Sequence, residues 1–193
     1  MSDYYSKPIA TYLRKPPKTL ARSAYAVEIN PWVPRADIEA ALSFRGTIVS
    51  ALAYIEGSLG DIAIRCSRVE IYSEIRSEFP HTLTKKTKFL RKVFQFGPLQ
   101  PYRSWADQFL NRVEAYSELR NLVAHARMQV MPDCGVTFQH YPRNTPREAI
   151  LERKRLTMEE LELVAWKAAR LSRLFQRLYN HLETQQILPP LEV

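Results

Sequence analysis

Between Phe109 and His125 the apolar residues recur at a period that only an α-helix satisfies. At about 100° per residue, Phe109, Val113, Tyr116, Leu119, Leu122 and Val123 fill one broad arc, while Glu114, Glu118, Asn121 and His125 line the opposite side. A helix with one apolar side has to bury it against other elements, and this commits the chain to a helical bundle. Arg120 stands apart from the polar stripe, because five residues of helix turn it roughly 140° from His125. At the rim of the apolar arc a guanidinium requires a buried partner or a ligand. Ser104, with Asp107 three residues on, has the form of a capping box, which predicts one helix over residues 104–127.

The same period appears in several other segments. Pro34 is placed to open a helix whose buried stripe is Ile38, Leu42, Val49, Leu52 and Ile55. Gly57-Ser58-Leu59-Gly60 is expected to end or kink it, since an unbroken helix as far as Ile75 would be on the order of 60 Å long. Ser58 with Asp61 then caps a second helix carrying Ile62, Cys66, Val69 and Tyr72 inward and closed by Pro80. A short third helix, ended by Gly97-Pro98, sets Leu83, Leu90 and Phe94 opposite Lys85, Lys88 and Lys92, with Arg91 beside them. After Arg127 the period changes to alternation. Residues 128–131 and 136–141 read as a hairpin around Pro132-Asp133-Cys134-Gly135, and Ala149-Ile150-Leu151 as a third strand. The insertion, about residues 128–156, is too small to form a core of its own. Thr157 and Glu160 form a second capping box, for a last helix striped by Leu161, Val164, Ala168, Leu171, Phe175, Leu178 and Leu182. Lys167, Arg170, Arg173 and Arg177 fall outside that stripe, and Trp166 is expected in the core. The helix is expected to dock antiparallel into the bundle.

The predicted fold is therefore mainly α: a bundle of about four to five helices over residues 34–186, with a hairpin or three-strand insertion after the motif helix. Residues 1–33 read as an extended or disordered arm, in which Pro8, Pro16, Pro17 and Pro31 break any helix. In this arm Lys7, Arg14, Lys15, Lys18 and Arg22 are interleaved with Tyr4, Tyr5, Tyr12 and Tyr25. Such a segment can track single-stranded RNA or wrap its own bundle or a second copy.

A formal charge of +8 favours a polyanionic partner. Between Phe79 and Trp105 there is no acidic residue, so Lys85, Lys88, Arg91 and Lys92 are candidate RNA contacts, together with Arg127 after the motif helix. Cys66 and Cys134 fit neither a disulfide framework nor a zinc site, so two free thiols, no metal and no cofactor are expected. The absence of a long apolar run and of an apolar leader predicts a cytoplasmic chain without a membrane partner.

Arg120-Asn121-Leu122-Val123-Ala124-His125 resembles the signature of the HEPN superfamily of helical bundles: an arginine, a polar residue, three variable residues and a histidine. Many members are endoribonucleases, and others are thought to bind without cutting. The resemblance implies a dimer with the motif at its interface, Arg120 and His125 as site residues, and RNA as substrate. In one subgroup a tyrosine two residues beyond the histidine is modified by a partner nucleotidyltransferase. Arg127 occupies that position here, so that partner is not implied.

The residue types suit metal-independent RNA cleavage. Such a reaction must remove a proton from a 2′-hydroxyl, donate one to the leaving oxygen and stabilise charge on phosphorus. Histidine ordinarily exchanges its proton near neutral pH, and a planar guanidinium matches phosphate oxygens. His125 is thus the candidate acid/base, Arg120 the phosphate clamp and Asn121 the orienting group. The angle between Arg120 and His125 favours two copies meeting about a twofold axis, since such an interface duplicates each group across one cleft. The expected function is a toxin or host-defence endoribonuclease acting as a homodimer, with an unidentified antitoxin or regulatory protein as a further partner. The alternative is a non-catalytic helical module that binds a nucleotide, RNA or a protein, with Arg120 as anchor.

Overall fold

The computed structural model describes residues 27–28, 32–75, 80–133, 135–140 and 152–190. Helix α1, Arg35–Ser67, is its central element. It begins directly after Pro34 and runs unbroken through Gly57 and Gly60, so the expected break and the second helix capped by Ser58 are not found. Two glycines cost a helix roughly 1 kcal/mol each. Leu59, Ile62, Ala63 and Cys66 are all buried within about two turns of them, and each large apolar side chain returns about 1.5–3 kcal/mol. Burial outweighs propensity, and Gly60 has a packing use besides. A Cβ there would lie 3.2 Å from the Lys86 ammonium, so the bare backbone lets that side chain cross the helix. The helix stops at Ser67, whose hydroxyl donates to the Ile64 carbonyl at 2.8 Å, and a 3₁₀ turn follows over Glu70–Ile75. By length and apolar content α1 could cross a membrane, but 44% of its apolar window is buried inside the protein. Its role as the core helix of the bundle accounts for that composition.

Helix α2, Leu83–Val93, is capped by the Thr82 hydroxyl and buries Phe89, Leu90 and Val93. A 3₁₀ segment, Gly97–Tyr102, follows. Gly97 has a positive φ of 59°, and a Cβ on it would meet the Tyr72 hydroxyl at 3.2 Å, so only glycine fits this turn. The 3₁₀ segment leads straight into helix α3, Arg103–Ala115, with no side-chain cap, because the Arg103 amide already donates to Gln100. Ser104 is therefore inside the helix and does not cap it. The predicted motif helix is in fact two helices. Tyr116, at φ −89° and ψ −5°, separates α3 from helix α4, Ser117–His125.

Four strands form one sheet in sequence order: β1 (Val27–Glu28), β2 (Arg127–Val130), β3 (Gly135–His140) and β4 (Glu152–Thr157). β1 is parallel to β2, and the other pairs are antiparallel, with Met128 opposite Phe138 and Val136 opposite Leu156. Met128, Val130, Val136 and Phe138 all point inward and are buried in the same core as the helices. The insertion thus completes the bundle core. The third strand starts at Glu152, and the expected strand at 149–151 lies outside the described residues, as does Cys134. Most of the expected arm also lies outside them, although Val27–Glu28 is a strand and Val33 is buried.

Helix α5, Met158–Thr184, has both halves of the Thr157/Glu160 capping box and buries Leu161, Ala165, Ala168, Leu171, Phe175 and Leu182. Its direction differs from one neighbour to the next. Tyr179 donates to Asp61, and Glu183 pairs with Arg65 at 2.5 Å, so α5 runs parallel to α1. Phe175 stacks on Phe109 at 4.6 Å, and His181 meets Tyr102, so α5 is antiparallel to α3. The antiparallel expectation therefore holds for α3 and fails for α1. Trp166 is 52% exposed and is not a core residue. Removing the cap with Thr157→Ala is expected to lower stability by about 1 kcal/mol, read as a shift in the urea midpoint.

Burial pushes the Cys66 thiol up to about 12, with the Arg65 charge acting against the shift and Asp61 adding to it. The folded protein therefore keeps this thiol protonated where an unfolded chain would ionise it. The stability it contributes is complete below the ordinary thiol range and is lost as pH rises from about 9 towards 12. In a Cys134→Ser protein at pH 8, Cys66 should react with a thiol reagent only at the rate of unfolding.

Candidate functional site

Helix α4 buries Leu122 and Val123, half-buries Leu119, and leaves Glu118, Asn121 and His125 exposed, as its periodicity predicts. Asn121 and His125 are one turn apart on the outer face. Arg120 reaches towards α1, where its guanidinium donates to the Glu56 carboxylate at 2.8 Å. A second nitrogen donates to the Asn121 side-chain oxygen at 3.0 Å. The arginine side chain keeps 34% exposure, so the pair lies at the protein surface. The predicted requirement for a partner is met by a carboxylate of the same chain.

The end of α4 is held by a residue outside the expected site. Arg45, on α1, donates to the Val123 carbonyl at 2.8 Å, to Ala126 at 3.1 Å and to Ala124 at 3.5 Å. These are backbone oxygens that a helix leaves without partners in its last turn. A cation there also faces the negative end of the helix dipole. Burial lowers the Arg45 pKa from its ordinary value. One signal pointed to this arrangement. From Leu42 to Gly60 the only charged residues are Arg45 and Glu56, and eleven residues of helix bring them to nearly the same side. α1 thus grips α4 at two points, through Glu56 at Arg120 and through Arg45 at the carbonyls before and after His125.

The other predicted contacts lie elsewhere. Lys85, Lys88 and Lys92 are exposed on α2, which packs chiefly on α1 and α3. Arg91 turns onto α3 and bonds Asp107, Asn111 and Glu114 at 3.3, 2.7 and 2.9 Å. It holds two helices together and is a weaker candidate for a phosphate than the lysines beside it. Arg127 is exposed at the start of β2, immediately beyond the motif. Among the described residues, no group of three or more His, Cys, Asp or Glu side chains is placed to hold a metal ion.

The arrangement provides one exposed imidazole, one amide a turn away and a guanidinium whose charge is shared with Glu56. Comparison with protein-family models, curated proteins and solved structures finds no match.

Proposed function

We propose that the protein is a metal-independent endoribonuclease of the toxin or host-defence type. What carries this reading is the placement of Asn121 and His125 one turn apart on the open face of α4, with Arg120 fixed at its edge. The likeness of this stretch to the HEPN signature supports it from the sequence side. In this reading a 2′-hydroxyl loses its proton and attacks the neighbouring phosphorus. The bond to the 5′-oxygen breaks, and that oxygen takes up a proton. Two imidazoles, one from each copy of a homodimer, divide the base and acid roles. Each guanidinium stabilises the added charge on the phosphorus centre. The products are a 2′,3′-cyclic phosphate and a free 5′-hydroxyl. The protein would work in the cytoplasm on RNA, under a regulatory partner that its own residues do not define.

The test is incubation of pure protein with mixed RNA in excess chelator, with chemical identification of the new ends. Cleavage with cyclic phosphate ends is expected. No cleavage, or cleavage that chelator stops, would overturn the reading. One observation favours a second reading, the non-catalytic module. The Arg120 guanidinium is already satisfied by Glu56, as a purely structural arginine would be.

A further inference from the structure

The outward side of α5 joins an exposed aromatic ring to a row of cations. On a helical wheel Trp166, Arg170, Arg173 and Arg177 fall on one line opposite the buried stripe, with Lys167 and Leu174 on its flank, and all six are exposed. Successive members of the line are about 4.5–6 Å apart along the axis. From Leu163 to Leu182 the helix carries no acidic residue, while Glu159 and Glu162 close the row at its N-terminal end.

An exposed indole among unpaired cations sets this face apart from an ordinary solvated one. Several arginines elsewhere are engaged: Arg35 with Glu39, Arg65 with Asp61 and Glu183, Arg91 with Asp107 and Glu114, Arg120 with Glu56, and Arg155 with Asp133. Among the described residues, Lys167, Arg170, Arg173 and Arg177 form no ion pair. Within the row, the Arg170 guanidinium lies 5.4 Å from the centre of the Trp166 ring. A large ring half exposed at the head of a row of unpaired guanidiniums offers a base-stacking surface and a phosphate track together.

We propose that this face binds the backbone of single-stranded RNA, with Trp166 stacking on a base and Arg170, Arg173 and Arg177 pairing with successive phosphates. The proposal deepens the ribonuclease reading by giving the substrate a holding surface on α5, and it rests on that reading only for RNA being the substrate. An anionic membrane is the less fitting occupant, because guanidiniums run down the middle of the face and the leucines stand at its side. A membrane-seated helix would set its apolar residues in the middle.

The experiment measures anisotropy of a labelled oligouridylate bound to full-length His125→Ala protein, which removes cutting from the measurement, across a salt series. Replacing Arg170, Arg173 and Arg177 together by glutamine, a good helix former, should weaken binding roughly tenfold or more and flatten the log–log salt slope by about 2. Trp166→Leu should weaken it about fivefold or more with the slope unchanged. Lys85→Gln, Lys88→Gln and Lys92→Gln together, on α2, should have the smaller effect. Parent-like affinity and slope in the α5 triple variant would overturn the proposal. So would loss of binding to phosphatidylserine vesicles by that variant with RNA binding intact. The two readings fail separately: an α5 triple variant that binds normally leaves the role of His125 untouched, and a His125→Ala protein that still cuts leaves the α5 result standing.

Discussion

Replacing His125 by alanine is expected to reduce RNA cleavage by at least about 10²-fold, the usual contribution of a positioned general acid or base. Stability should change by less than about 0.5 kcal/mol. The imidazole is exposed, and alanine favours a helix, so nothing in the fold depends on it. Arg120→Ala should give a mixed result. It leaves Glu56 without its cation and removes the donor to Asn121, so the fold loosens while charge stabilisation is lost. Activity per folded molecule, from parallel urea titrations, separates the two contributions. Glu56→Gln completes the set, since it keeps a hydrogen-bond acceptor but frees the guanidinium charge. If Arg120 serves phosphate, this variant should retain cleavage. Full cleavage by His125→Ala would end the assignment of this histidine.

The second large effect is expected at Arg45. Arg45→Met keeps much of the apolar stem and removes every donor to the carbonyls of Val123, Ala124 and Ala126. Loss of hydrogen bonds from a charged donor to half-buried oxygens should cost about 2–4 kcal/mol. Arg45→Lys should recover only part of this, because a single ammonium cannot spread its donors over three oxygens as a planar fork does. A urea midpoint within error of the parent for Arg45→Met would show that water satisfies those carbonyls. Because the same oxygens flank His125 in sequence, Arg45→Lys should also lower cleavage more than it lowers stability.

The helices could be read from the sequence because each has one buried face that repeats with the helical period. The exposure of Asn121 and His125 followed from the same rule. Errors arose where a local preference opposed burial. Gly57 and Gly60 suggest an end, yet the apolar residues around them keep α1 helical. The sequence Glu152-Arg153-Lys154-Arg155 shows no apolar alternation because β4 is an edge strand, where charges prevent further pairing. The break at Tyr116 has no proline or glycine to announce it. Trp166 has the residue type of a core side chain, but its place on the wheel puts it outside. In the site, the grip of α1 on α4 links positions 78 and 64 residues apart, beyond any local pattern. The isolated charges Arg45 and Glu56 were its visible trace.

The parallel course of α1 and α5 has a consequence for the way the chain is made. Their contacts join residues 118 apart, such as Tyr179 with Asp61, so they close only after more than a hundred further residues have followed α1 out of the ribosome. Until then the side of α1 that α5 covers has no lasting cover. Ordering distant segments is also the slow part of folding, because the entropy of a long loop is lost before its contacts are gained. A nascent chain of this protein therefore carries α1 well before the helix that covers it. The interval between the two is when aggregation competes most strongly with folding.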